Sequence, residues 1–135
     1  LIELCGGYKE KCGKLLMGGP MMGISLFEDT APVMKQNNAI LAFNEKDAST
    51  PKGGACIRCG KCVSACPMGL VPCVIARAAK KKQVDVLKKY NVLTCMECGC
   101  CTFASPAQRY IVQTIRLGKA ILRDEIAKEK GAEKK

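Results

Sequence analysis

The apolar positions change their period along the chain. Over the first 50 residues they come in short runs broken by turn residues. Leu1 to Cys5 reads as the end of an amphipathic helix, with Gly6-Gly7 as its stop signal. Lys14 to Met17 predicts a strand entering the turn Gly18-Gly19-Pro20, after which Met21 to Ile24 resumes an apolar path. Ala39 to Phe43, bounded by Asn37-Asn38 and Asn44, predicts a buried strand. Asp47 to Gly54 is polar and rich in Ser, Thr, Pro and Gly, which predicts a linker. The Gly-Gly-Pro turn lacks the GxxxxGK[ST] pattern and a βαβ setting, so it is not a phosphate loop.

Beyond the linker the period becomes helical. Val74, Ile75, Ala78 and Ala79 predict one short helix, and Val84, Val86, Leu87 and Tyr90 a second, separated near Lys82-Gln83. Ile111, Ile115, Leu122 and Ile126 keep helical spacing as far as Gly131, which predicts a long final helix. The expected fold class is α+β, with a small strand-containing segment at residues 1–50 and a mainly α-helical domain at 51–135.

Composition limits what can hold this together. Aromatic residues make up 4% of the 135 residues and Trp is absent, so the core must rely on Ile, Val, Leu, Met and Ala. A cofactor that ties distant loops together would then supply much of the stability. The length allows one domain, or one small domain plus part of another, and the start at Leu1 points to a fragment or a processed product. No run of about 18 apolar residues occurs, so no membrane span is expected. Lys9, Lys11 and Lys14 follow the first apolar residues instead of preceding them, so no signal peptide is expected either, and a reducing cytoplasm is.

The net charge of +10 is uneven: residues 1–55 carry six Lys/Arg against six Asp/Glu, and residues 56–135 carry sixteen against six. A basic half of this kind suits an acidic redox partner or an anionic membrane face. For Lys80, Lys81 and Lys82 a solvated helix face accounts for the charge equally well.

The chemistry lies in the cysteines. Seven of the eleven fall into two blocks, Cys56-x-x-Cys59-x-x-Cys62-x-x-x-Cys66-Pro67 and Cys95-x-x-Cys98-x-x-Cys101-x-x-x-Ser105-Pro106. A CxxCxxC loop turns tightly enough to aim three sulfurs at three corners of an iron-sulfur cube, with backbone N–H groups donating to sulfur. In two-cluster proteins the fourth cysteine of each block reaches across to the other cluster. Cys95, Cys98, Cys101 and Cys66 then make a complete set. Cys56, Cys59 and Cys62 have Ser105 as their fourth position. The expected cofactors are two 4Fe-4S clusters, and the first has an oxygen ligand, a substitute thiol, or a vacant corner as in a 3Fe-4S form. Serine is a harder and more basic ligand than iron prefers. Ser105-Pro106-Ala107-Gln108 also matches a capping box with proline at the first helical position, and Pro67 and Pro106 are each expected to open a helix. Gly60 and Gly99 are expected to let backbone approach the inorganic core.

Other readings fit less well. The odd cysteine count and regular spacing argue against a disulfide framework. Two CxxC pairs would satisfy zinc, and no histidine exists for mixed sites. Scarce aromatics weaken a nucleic-acid-binding module. Cys73, Cys100, Cys5 and Cys12 are expected to be small, buried and inert.

The stretches Cys56-Ile-Arg-Cys-Gly-Lys-Cys-Val-Ser-Ala-Cys-Pro-Met-Gly-Leu70, Tyr90-Asn-Val-Leu-Thr-Cys-Met-Glu-Cys-Gly-Cys-Cys101 and Ile111-Val-Gln-Thr-Ile-Arg-Leu-Gly-Lys119 resemble the C subunit of the Rnf electron-transport complex. Gly18-Gly-Pro-Met-Met-Gly23 is similar to a segment that follows the ligand-binding β-grasp (SLBB) region of the same protein. The resemblance implies a ferredoxin-like domain with two 4Fe-4S loops, in a membrane-bound, ion-translocating ferredoxin:NAD oxidoreductase. It implies a peripheral site on the cytoplasmic side of the membrane, with partners among the other subunits. FMN and NAD are implied only on an upstream domain, since no glycine-rich nucleotide fingerprint occurs here. The expected function is an electron relay between ferredoxin-side clusters and a flavin/NAD(H) site, with no catalytic residue of its own. A cobalamin-reductase subunit of similar architecture is the alternative. Ser105 departs from the family pattern, which has cysteine there.

Overall fold

The computed structural model describes residues 1–132, and their contacts divide into two units, Leu1–Pro51 and a second beginning at Lys52. The first unit is a three-stranded antiparallel sheet in the order β2-β1-β3, formed by β1 (Cys12–Met17), β2 (Ile24–Leu26) and β3 (Ile40–Asn44). The central strand pairs Met17 with Ile24 on one side and with Ile40 on the other, so both edges register on one residue. The expected helix end at Leu1–Cys5 is a 3-10 turn over Glu3–Cys5, which Gly6 stops in a left-handed conformation. The strand over Ala39–Phe43 is displaced by one residue and only half-buried, with Ala42 exposed, because Leu15 of β1 supplies the buried centre of this small sheet.

The second unit is helical: α1 (Lys61–Ser64), α2 (Pro72–Lys80), α3 (Val84–Lys89), α4 (Cys100–Phe103) and α5 (Ile111–Ala132). Pro72 opens α2, where its missing N–H is not needed. Lys82, with φ 53°, ends the run and leads into α3, as the break near Lys82-Gln83 predicts. The core forms where α2 and α3 meet α5: Ile75, Ala76, Ala79 and Leu87 pack with Ile111, Ile115 and Leu122. Spacing of three and four residues puts these side chains on single helix faces. Gly118 of α5 packs directly against α2, and a Cβ there would lie 2.9 Å from Ala79 Cβ.

Pro67 and Pro106 do not open helices. Each begins a turn, closed by hydrogen bonds from Gly69 N to Cys66 O (3.1 Å) and from Gln108 N to Ser105 O (2.9 Å). The helices begin later, at Pro72 and Ile111. The capping-box reading of Ser105 is therefore corrected: Gln108 has φ 48° and belongs to a turn that no helix could continue.

These turns expose a duplication. The blocks are 39 residues apart, and at that offset α1 superposes in sequence on α4 and the start of α2 on the start of α5. The left-handed residues repeat too, with Arg58 matching Glu97, Gly60 matching Gly99 and Gly69 matching Gln108.

Candidate metal centre

Each loop is built from two left-handed residues set between its cysteines. Arg58 (φ 56°) and Glu97 (φ 61°) turn the chain after the first cysteine, and Gly60 (φ 78°) and Gly99 (φ 87°) turn it again into α1 and α4. Left-handed backbone costs about 1–2 kcal/mol for a residue with a side chain, so glycine is favoured at the second turn. A Cβ on Gly60 would meet no atom within 4 Å, so backbone angle, and not crowding by protein, is what favours glycine there. At the first turn the cost is borne by Arg and Glu, and both are tied down. The Arg58 N–H donates to the Cys56 sulfur. Glu97 accepts 2.7 Å hydrogen bonds from Lys119 Nζ and from Arg116 Nε, both on α5.

Lys119 is 6% exposed and its Nζ also donates to the Cys95 carbonyl at 2.5 Å. A buried ammonium needs such partners. It fastens the second loop to the core helix at two points. Sequence reasoning did not single out this clamp. Its signal was Lys119 at the end of the Ile111–Lys119 stretch, a charge falling on the apolar face of a predicted helix.

The seven cysteines and Ser105 are sorted between two cavities. Cys56, Cys59, Cys62 and Ser105 line one of about 630 Å³. Cys66, Cys95, Cys98 and Cys101 line a second, narrow cleft. Cys66 thus leaves its own block and stands with the other, the crossed arrangement that the spacing predicts. The surroundings differ sharply. Arg58, Arg77, Lys80, Lys81 and Arg109 line the first cavity, whereas Met68, Leu70, Met96, Val112 and Ile115 line the second. Lys80 and Lys81 therefore belong to the rim of the first cavity.

Cys73 packs against the helical core as expected, but it is half-buried and also lines the first cavity. Cys5 is exposed and Cys12 half-buried, and the expectation that they are buried is corrected. Cys100 is half-buried with its thiol hydrogen-bonded to Cys98, beside the second set but not lining the cleft.

The thiols differ in acidity for local reasons. Cys56 is held below the usual thiol range, first by the Arg58 N–H and then by the Arg109 guanidinium, which favours the thiolate that binds metal. Burial, and then Cys73, push Cys62 up. Burial and then Cys95 push Cys101 up to about 11. Thiols crowded together in a low-dielectric pocket resist ionisation until a cation neutralises them.

The donor set fits iron and sulfide. Eight soft thiols surround two spaces, and among the described residues no three Cys, Asp or Glu side chains converge on a point suited to one metal ion. Paired tight loops, crossed cysteines and thiol-lined cavities define the class: an iron-sulfur protein of the ferredoxin type. Residues 51–106 match the family described as the 4Fe-4S dicluster domain. The chain is 40% identical over 119 residues to the C subunit of the ion-translocating oxidoreductase complex of Methanosarcina acetivorans, covering 88% of the chain and 27% of that protein. It is 41% identical over 120 residues to the C subunit of the proton-translocating ferredoxin:NAD(+) oxidoreductase complex of Clostridium ljungdahlii, covering 88% of the chain and 26% of that protein. It is 38% identical over 119 residues to the C subunit of the Na(+)-translocating ferredoxin:NAD(+) oxidoreductase complex of Acetobacterium woodii, covering 88% and 27%. The chain belongs to the C-subunit family of these Rnf complexes, and it spans about a quarter of the length of the relatives it matches. No helix among the described residues is long and apolar enough to cross a membrane.

Proposed function

We propose that the helical unit is an electron relay carrying two 4Fe-4S clusters, within a membrane-associated, ion-translocating oxidoreductase that couples ferredoxin to NAD. One cluster is held by Cys95, Cys98, Cys101 and Cys66, and the other by Cys56, Cys59 and Cys62 with a fourth donor from the same cavity. The observation that carries this reading is the position of Cys66 among the thiols of the second block. When bound, each cluster supplies reversible one-electron chemistry. The chain's own residues hold the thiolates and direct N–H groups such as that of Arg58 at sulfur, and α2, α3 and α5 keep the loops rigid.

The complex would meet this unit on the cytoplasmic side, peripheral to the membrane. Five cations around the first cavity favour an acidic partner, such as a ferredoxin-like protein. The flavin and NAD(H) site belongs to sequence outside this chain.

Anaerobic reconstitution of the full chain with iron and sulfide, followed by metal analysis and a redox titration, tests the relay. About eight irons and two reversible one-electron steps are expected. Reassembly with the other subunits should then support ferredoxin-dependent NAD reduction. Clusters that never change oxidation state, or cobalamin reduction in place of NAD reduction, would overturn the proposal.

A further inference from the structure

The first thiol set is short of one sulfur. Its crossed partner is Ser105, yet the cavity that holds Cys56, Cys59 and Cys62 contains a fourth thiol, Cys73, in the first turn of α2. We propose that Cys73, and not Ser105, supplies the fourth thiolate to the cluster on Cys56, Cys59 and Cys62. The inference rests on the reading that this set holds a cluster at all.

Two observations carry it. Cys73 and Cys62 are in direct contact: their thiols share a hydrogen bond, and the Cys73 backbone N–H also donates to the Cys62 sulfur. Both sulfurs therefore face the same space. The internal duplication supplies the second argument, because Cys73 corresponds to Val112 at the offset of 39 residues. Val112 lines the second cleft, so this helical position is cavity wall in both halves. In the second half the wall is apolar, and Cys66 arrives from the other block to complete four thiols. In the first half the arriving residue is serine, and the wall carries the sulfur instead.

Ligation needs no redox step. The Cys73 S–H bond breaks and its proton goes to water, an Fe–S bond forms, and the solvent or exogenous thiolate at that corner of the cluster leaves. Iron and sulfide keep their oxidation states. All four thiols of the first cluster then come from residues 56–73. Only Cys66 still ties the two halves together through a cluster.

The test uses the full chain, reconstituted anaerobically, with iron counting and electron paramagnetic resonance. Cys73→Ala should lower the count from about eight to about seven irons and give the oxidised protein a 3Fe signal that wild type lacks. Ser105→Ala should leave count and spectrum unchanged. Cys73→Ala combined with Ser105→Cys should restore the wild-type spectrum, which a variant that merely misfolds would not do. Alkylation of the loaded wild-type chain gives a second readout: Cys73 should be protected while Cys5 and Cys100 react, and chelation of iron should expose it. The proposal is overturned if Cys73→Ala keeps its spectrum while Ser105→Ala changes, or if Cys73 reacts as fast as Cys5 with the clusters intact. Should Cys56→Ala leave the wild-type iron count unchanged, the first set holds no cluster, and the underlying reading fails with it.

Discussion

Replacing Lys119 by methionine tests how the second loop is held. The substitution keeps an unbranched side chain of similar length and removes only the ammonium, so packing against the core is retained. Two charge-assisted hydrogen bonds vanish, one to the Cys95 carbonyl at 2.5 Å and one to Glu97 at 2.7 Å. Hydrogen bonds to charged groups contribute roughly 1.5–3 kcal/mol each, and removing one partner of a fully buried pair costs about 3–5 kcal/mol. The figure here falls below the sum, because the Glu97 side chain is 26% exposed and keeps Arg116 at 2.7 Å. About 3 kcal/mol is expected, against the 5–15 kcal/mol of a typical domain. Urea unfolding of the full chain measures it. Acid should remove part of the gap. Lys119, and then Arg116, hold the Glu97 carboxyl below its usual pKa of 4.5. A carboxylate with a lowered folded pKa contributes stability that is fully present above the unfolded value, and this is lost as pH falls through the folded value. The gap between wild type and Lys119→Met should therefore be constant near neutrality and shrink as the pH falls below the usual carboxylate pKa of 4.5. Lys88→Met is the control, since the Lys88–Glu129 pair is exposed on both sides and its loss should leave the unfolding midpoint in place. A Lys119→Met loss below about 1 kcal/mol, or a gap indifferent to acid, would refute the clamp.

Two further substitutions probe the core and the rim. In Gly118→Ala the gain in helix propensity, about 1 kcal/mol, opposes a Cβ set 2.9 Å from Ala79 Cβ and 3.2 Å from Leu87 Cδ2. Overpacking costs about 1–3 kcal/mol, so a net loss of about 1 kcal/mol and a lower melting temperature are expected, and a more stable variant would refute the close approach. Arg109→Gln removes a cation whose guanidinium reaches Cys56. Reduction adds negative charge to a cluster, so at an assumed separation of roughly 10 Å and effective dielectric of about 30 the loss is about 1 kcal/mol, or a potential about 40 mV lower. A redox titration that finds the first potential unchanged or raised would contradict the electrostatic reading.

Much of this is legible in the sequence. The helices over Val74–Ala79 and Val84–Tyr90 could be read because their apolar residues recur at three and four. The crossing of Cys66 could be read because CxxCxxCxxxCP is a motif with a fixed geometry. Less legible was anything set by backbone angle or by a partner far along the chain. Pro67 and Pro106 look like helix openers, but Gly69 and Gln108 are left-handed and delay each helix. Arg58 and Glu97 are not residues that favour such a conformation, and only the N–H···S contact and the α5 clamp account for it. The place of Cys73 on the wall of the first cavity could not be read because, alone in a helical pattern, a cysteine and an alanine carry the same apolar signal.

Duplication explains both what could be read and what could not. Two copies of one loop-helix unit share backbone, so the left-handed positions, short helices and wall positions recur at a constant offset. Side chains escape that constraint wherever solvent or the partner copy differs. Val112 faces a cleft closed by Leu70, Met96 and Ile115, where an extra thiol would add only crowded, desolvated sulfur. Cys73 faces a cavity ringed by the five cations Arg58, Arg77, Lys80, Lys81 and Arg109. The same helix position can therefore be wall in one copy and donor in the other without any change of fold. Beside Ser105 the first cavity holds another thiol, Cys73, within contact of Cys62. No such substitute lines the second cleft, so Cys66 is the thiol that the second set cannot replace.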